Sequence, residues 1–313
     1  PANYRIALRT VGGGSTEPPP PPPPPPASAI ASLTLNPVTV LGGKGSVATV
    51  TLAQPAPAAG AKVILTSANV NVATVPASVL VAAGTTTKTF TVTSKAVASS
   101  TLVGITASYS GAGKTAVLTV EPPVLSGLTL SPATIAGGCQ GSTGKVTLSG
   151  KAPVGGLMVP LASTNPAASV PASVTVPAGA TYATFPITAP AVTAIQTGTV
   201  SASFGGIARS VTLKVRPIGL ASLTLTPNPV VGPGSVTGTV TLECPAAPGS
   251  ITVALSSSTL TVARTAAASV TIPAGSTTAT FTVTTADVSA VSYATIKAVA
   301  GGVTKTVRLT VNP

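Results

Sequence analysis

A nineteen-residue segment that returns three times sets the limits on how this chain can fold. Residues 75–93 read VPASVLVAAGTTTKTFTVT, residues 170–188 read VPASVTVPAGATYATFPIT, and residues 266–284 read AAASVTIPAGSTTATFTVT. Each copy holds two alternating apolar–polar runs around a central glycine, which is Gly84, Gly179 or Gly275. In the middle copy Val174 and Val176 alternate with Ser173 and Thr175, and Phe185 and Ile187 alternate with Thr184 and Thr188. Period-two alternation of β-branched residues predicts strands, and a glycine between two such runs predicts a β-hairpin. Phe90, Phe185 and Phe281 occupy matching places and read as core. The opening leucines Leu33, Leu128 and Leu223 lie 95 residues apart in each case, so the chain is an array of one repeated unit.

The composition agrees with an array of sandwiches. A chain of 313 residues is too long for one β-sandwich and suits three. Sixteen basic residues face four acids, Glu17, Glu121, Glu243 and Asp287. The solvent faces of the strands are therefore Thr and Ser, which form strands well and helices poorly. No helix is expected. The net charge of +12 comes from basic residues set singly, such as Lys44, Lys62, Lys88, Lys95 and Lys114. Without a cluster or an interleaved aromatic platform, specific nucleic-acid binding is not expected. An anionic surface polysaccharide is the partner such a charge could attract. No run of 18 apolar residues occurs, so no membrane span is expected. A first residue Pro1 and the absence of a leader pattern read as a processed or partial product, as a mature secreted protein would.

Before the repeats, residues 1–16 form a short island in which Tyr4, Ile6 and Leu8 alternate with Arg5, Ala7 and Arg9. This is one amphipathic strand with nothing local to pair with. Three readings stand: a strand donated to the open sheet edge of a protein partner or another copy, the last strand of an upstream domain, or a tail. Residues 18–26 are nine consecutive prolines. Every φ is fixed and no N–H is available, so the run is a polyproline II spacer of about 28 Å rather than a ligand for a proline-binding module.

Within each repeat about seven short strand candidates follow in the same order. In the second they are residues 128–130, 145–148, 158–163, 173–176, 184–188, 198–204 and 210–215. That count in about 95 residues is the count of an immunoglobulin-like sandwich. Pro37, Pro132 and Pro227 follow the first strand and suit an edge strand that breaks and switches sheets. The expected organisation is all-β: a docking strand at 1–16, a polyproline linker at 17–29, and immunoglobulin-like domains at 30–123, 124–218 and 219–313. Proline-containing junctions of two or three residues predict an extended rod.

The pattern VPASVTVPAGATYATF, with LTLSP opening the repeat and SVTLKV closing it, resembles the bacterial Ig-like repeats of large secreted and cell-surface proteins. The resemblance covers residues 30–313. It implies an extracellular or cell-surface array used as a stalk, adhesin arm or fibre. It does not imply one function, because such modules carry many. Ala267 departs from the pattern, standing where the other copies have Pro76 and Pro171.

Catalysis has little to work with. There is no histidine, which excludes Ser-His-Asp and Cys-His sites. The four acids lie far apart, against a paired-carboxylate site. Two cysteines without histidine make no zinc ligand set, and junctional calcium would need more acids than Glu121. No catalytic, cofactor-binding or metal-binding residue is expected, and no cofactor. Residues 108–115, SYSGAGKT, look like a phosphate-binding loop. Ser108 replaces its first glycine, and no helix is expected to follow. No N-x-[ST] sequon with a permitted middle residue is present.

The two cysteines, Cys139 and Cys244, fall in different repeats. In an Ig-like sandwich the turn before the second strand faces the next domain, and the end of the second strand faces the previous one. Both cysteines then point into the second junction. An interdomain disulfide is expected there, with two free or intermolecular thiols as the alternative. Three function readings follow: a non-enzymatic rod attached to a surface structure or filament through Tyr4, Ile6 and Leu8; an adhesin arm recognising a glycan or cell surface; or the non-catalytic part of a larger secreted enzyme.

Overall fold

The computed structural model describes residues 29–247 and 249–313. The docking strand expected at Tyr4, Ile6 and Leu8 and the proline run fall outside the described residues. Among those described there are 26 strands and no helix. Thr, Val and Ser alternate through almost every strand, so each strand buries one face and wets the other.

The first sandwich contains β1 (Ile30–Asn36), β2 (Thr39–Leu41), β3 (Gly45–Leu52), β4 (Ala61–Ser67), β5 (Ala73–Thr74), β6 (Ser78–Val81), β7 (Thr87–Ser94), β8 (Thr101–Tyr109) and β9 (Ala112–Glu121). One sheet has the order β1-β3-β7-β5 and the other β2-β9-β8-β4-β6. The second sandwich contains β10 (Leu125–Ser131), β11 (Thr134–Ala136), β12 (Ser142–Leu148), β13 (Leu157–Ser163), β14 (Ser173–Val176), β15 (Tyr182–Ile187), β16 (Gln196–Phe204) and β17 (Ile207–Arg216). Its sheets run β10-β12-β15 and β11-β17-β16-β13-β14. The third contains β18 (Leu220–Thr226), β19 (Val230–Val231), β20 (Ser235–Leu242), β21 (Ile251–Ser257), β22 (Ala263–Thr265), β23 (Ser269–Ile272), β24 (Thr278–Thr285), β25 (Ser292–Ala300) and β26 (Val303–Asn312). Its sheets run β18-β20-β24-β22 and β19-β26-β25-β21-β23. The chain is a tandem of Ig-like sandwiches.

Each sandwich closes over its own core. Val50, Val63, Ile105 and Leu118 are fully buried in the first, Ile135, Val159 and Leu213 in the second, and Val240, Ile272, Ile296 and Leu309 in the third. Each such side chain contributes about 1.5–3 kcal/mol relative to exposure. Phe90 and Phe185 are buried, and Phe281 packs half-buried against the third core. Across the strand from Phe185 and Phe281 stand Gly144 and Gly238, whose Cα atoms the rings cover.

The first strand of each repeat breaks at its proline and the chain crosses to the opposite sheet, as the sequence predicts. There it pairs parallel with the closing strand: β2 with β9, β11 with β17 and β19 with β26. This short parallel strand is an eighth element that the seven-strand reading misses. Two or three residues are too few to display a period. Buried Ser46 and Ser142 donate their hydroxyls to the carbonyls of Pro37 and Pro132 at 2.8 and 2.7 Å, which holds the crossing.

The repeated segment that announces the array is not a hairpin. Its first run, β14, pairs with β13, and its second, β15, pairs with β12 in the other sheet. The same holds for β6 with β4 against β7 with β3, and for β23 with β21 against β24 with β20. The glycine turn therefore bridges two sheets, and Val176 and Phe185 meet the core from opposite sides. Main-chain bonds fix the bridge: Gly179 N–H donates to the Ala152 carbonyl, and Ala152 N–H to the Ala180 carbonyl. Alternation reports which face of a strand is apolar. It carries no information on which neighbour supplies the hydrogen bonds.

True hairpins close each sandwich, joining β8 to β9, β16 to β17 and β25 to β26. The phosphate-loop lookalike is the first of these. Tyr109 pairs with Ala112 across Ser110 and Gly111, which have φ of 49° and 81°. That is a two-residue β-turn followed by a strand, with no helix N-terminus for an anion.

Candidate functional site: the joint between the second and third sandwiches

Cys139 and Cys244 form a disulfide with a Cα–Cα distance of 5.9 Å, inside the range that the bond requires. Cys139 sits in the turn from β11 to β12, and Cys244 lies two residues beyond the end of β20. Two glycines deliver Cys139. Gly137 lies against the Pro190 carbonyl, leaving no room for a Cβ, and Gly138 has φ of 86°. Gly137 N–H donates to the Arg216 carbonyl at 3.0 Å and Gly138 N–H to the Ala189 carbonyl at 2.9 Å.

Arg216 and Glu243 also span the joint. Nη2 of Arg216 lies 2.8 Å from one carboxylate oxygen of Glu243 and 3.0 Å from the other, while Nη1 donates to the Pro217 carbonyl at 3.2 Å. Both side chains are 23% exposed, so solvent screens the pair and its contribution is about 1 kcal/mol or less. Glu243 N–H also donates to the Gly219 carbonyl at 3.0 Å. The linker then seals down: Ile218 is buried in the third core, its carbonyl abuts Gly301, and Gly219 abuts Val303.

Beside the joint is a cleft of about 330 Å³, whose lining includes Val192, Thr193, Ile218, Ser250 and Ile251. Its described lining residues are apolar or uncharged. Among the described residues no group of three or more His, Cys, Asp or Glu is placed to hold a metal ion. Glu121, the one acid at the first junction, accepts a hydrogen bond from Ser100 at 2.9 Å. No helix among the described residues is long and apolar enough to cross a membrane.

The first junction is made differently. Leu41 of the first sandwich packs on Gly150 of the second, and within the second Val124 N–H donates to Ser149 Oγ at 2.9 Å and Ser149 N–H to the Val124 carbonyl at 2.8 Å, which seats the linker. Sequence reasoning places both cysteines at the second junction but misses the Arg216–Glu243 pair. Its partners are 27 residues apart, and only the fold of the linker brings them together. The sole available signal is that Glu243 immediately precedes Cys244 in a chain with four acids.

No family model matches this chain, and no curated protein matches it. Solved structures that resemble it include invasin, a bacterial integrin-binding protein, at 17% identity and a TM-score of 0.43 over 90% of this chain and 60% of that one. The adhesin InvE of Yersinia pseudotuberculosis matches at 17% identity and a TM-score of 0.34 over 60% of each chain. The Escherichia coli adhesin FdeC matches at 15% identity and a TM-score of 0.32 over 92% of this chain and 99% of that one. The chain spans about 60% of the length of the first two. The Ig-like assignment rests on the strand order and the separate cores described above.

Proposed function

We propose that this is a non-enzymatic extracellular structural protein, an Ig-like rod attached to a surface structure or filament through its N-terminal strand. The observation that carries the reading is the Cys139–Cys244 bond. A disulfide spent on a joint between modules, rather than on a core, persists in oxidising surroundings and serves geometry. The polar uncharged strand faces and the absence of histidine support it further. The domains are the sandwiches with their linkers, 30–123, 124–218 and 219–313, and the proline run spaces them from the strand at Tyr4, Ile6 and Leu8. That strand pairs with an open sheet edge of a protein partner or another copy.

An adhesin arm is the second reading, favoured by one feature of the third sandwich. The Arg308 guanidinium lies 4.2 Å from the centroid of the Tyr293 ring, and both residues are exposed. A stacked Arg leaves its N–H edge free for a carboxylate of an anionic polysaccharide.

Deletion of residues 1–16 tests the first reading. Assembly seen by electron microscopy and partner capture should both disappear while the melting of the sandwiches stays unchanged. Assembly and capture at wild-type levels would contradict attachment through that strand.

A further inference from the structure

The cysteines are 105 positions apart, so 104 residues lie between them in a covalently closed loop. That loop contains β12 to β17, the linker and β18 to β20. Outside it remain β10 and β11 on one side and β21 to β26 on the other. A closed loop under tension has two parallel branches. One is a single covalent bond, and the other is folded protein held by hydrogen bonds and packing. The stiff branch takes the load.

We propose that the disulfide is a load bypass. When the chain is pulled by its two ends, the covalent path runs from the β11–β12 turn straight to the end of β20, and the 104 enclosed residues cannot extend. The parallel strand pairs show what this changes. In each sandwich the pair joins a strand near the entry of the chain to the strand at its exit: β2 with β9, β11 with β17, β19 with β26. Pulling on entry and exit shears the bonds of such a pair together. In the first sandwich both partners lie on the load path. In the second, β17 is inside the loop and β11 outside. In the third, β19 is inside and β26 outside. With the bond intact, only the first of the three parallel clasps has both of its strands on the covalent load path. The bypass goes beyond the structural role proposed above: it caps how far the arm can lengthen.

Single-molecule stretching of the full chain, held at both ends, tests this. The enclosed 104 residues correspond to roughly 350 Å of extended chain. The oxidised wild type should release about that much less length on complete unfolding than the C139S/C244S variant. Adding dithiothreitol under load should return the missing length in the wild type and leave the variant unchanged. In that step the two thiols of the reductant pass two electrons to the cystine, giving two cysteine thiols and a cyclic disulfide of the reductant. Equal released lengths for wild type and variant, or no gain on reduction, would overturn the proposal. If the variant does not fold, the wild type with and without reductant decides the same question.

Discussion

The two junctions are built from one repeated unit, yet they hold their neighbours by different means. At the first, Leu41 rests on Gly150, while the hydrogen bonds of Val124 with Ser149 tie the linker to the second sandwich alone. At the second, Cys139 occupies the place of Lys44 and Cys244 the place of Gly150, and a covalent bond, an ion pair and a buried linker isoleucine act together. No covalent bond or ion pair among the described residues spans the first joint, so opening it breaks only non-covalent contacts such as that of Leu41 with Gly150. The second cannot open without breaking the disulfide. A repeat array thus acquires mechanical polarity from a few substitutions in loops, with the sandwich cores left alike.

The largest effect should come from C139S/C244S. Removing the cross-link from a loop of this size should destabilise the second and third sandwiches by about 2–4 kcal/mol in denaturant titration, with the first sandwich unaffected. A uniform loss across all three would break the contrast between joints. Next come the matching hairpin glycines. Gly301 has φ of 58° and its Cα abuts the Ile218 carbonyl, whereas Gly205 has φ of 60° with Val124 at ordinary contact distance. Gly205→Ala should cost only the left-handed strain, about 1–2 kcal/mol, and Gly301→Ala should cost more because the linker must also move. Equal losses would show that the second linker is not seated as tightly as its geometry implies. Smaller again is Glu243→Gln, expected to cost about 1 kcal/mol or less and to lose its effect at high salt. Smallest is Ser110→Gly in the first hairpin, where a non-glycine residue holds φ of 49°. It should be neutral or stabilising by less than about 1 kcal/mol and should leave both junctions as they are.

How far the chain could be read in advance follows from the range of each signal. Val174, Val176, Phe185 and Ile187 declare strands and a buried face because alternation is local. Their sheet partners are not local, so β14 and β15 read as a hairpin and lie in different sheets. Thr134–Ala136 is too short to read at all, and its parallel pairing with β17 depends on a strand more than seventy residues later. The cysteines were legible because the repeat itself supplies an alignment, which assigns each a pole of its sandwich. Arg216 and Glu243 were not, since nothing in one sequence marks two charges as neighbours across a folded linker. The alternation of Tyr4, Ile6 and Leu8 predicts a strand for docking, and these residues lie outside the described ones.

The central claim is that the second junction is a fixed joint and the first is not. Thr89, Thr184 and Thr280 are exposed and sit on β7, β15 and β24, so spin labels introduced there through non-cysteine chemistry mark the three sandwiches at equivalent places. Pulsed electron resonance should give a narrow distance distribution between the labels at Thr184 and Thr280 and a broad one between those at Thr89 and Thr184. Reduction should broaden the first of these and leave the second unchanged. Two distributions of equal width in the oxidised protein would contradict the account.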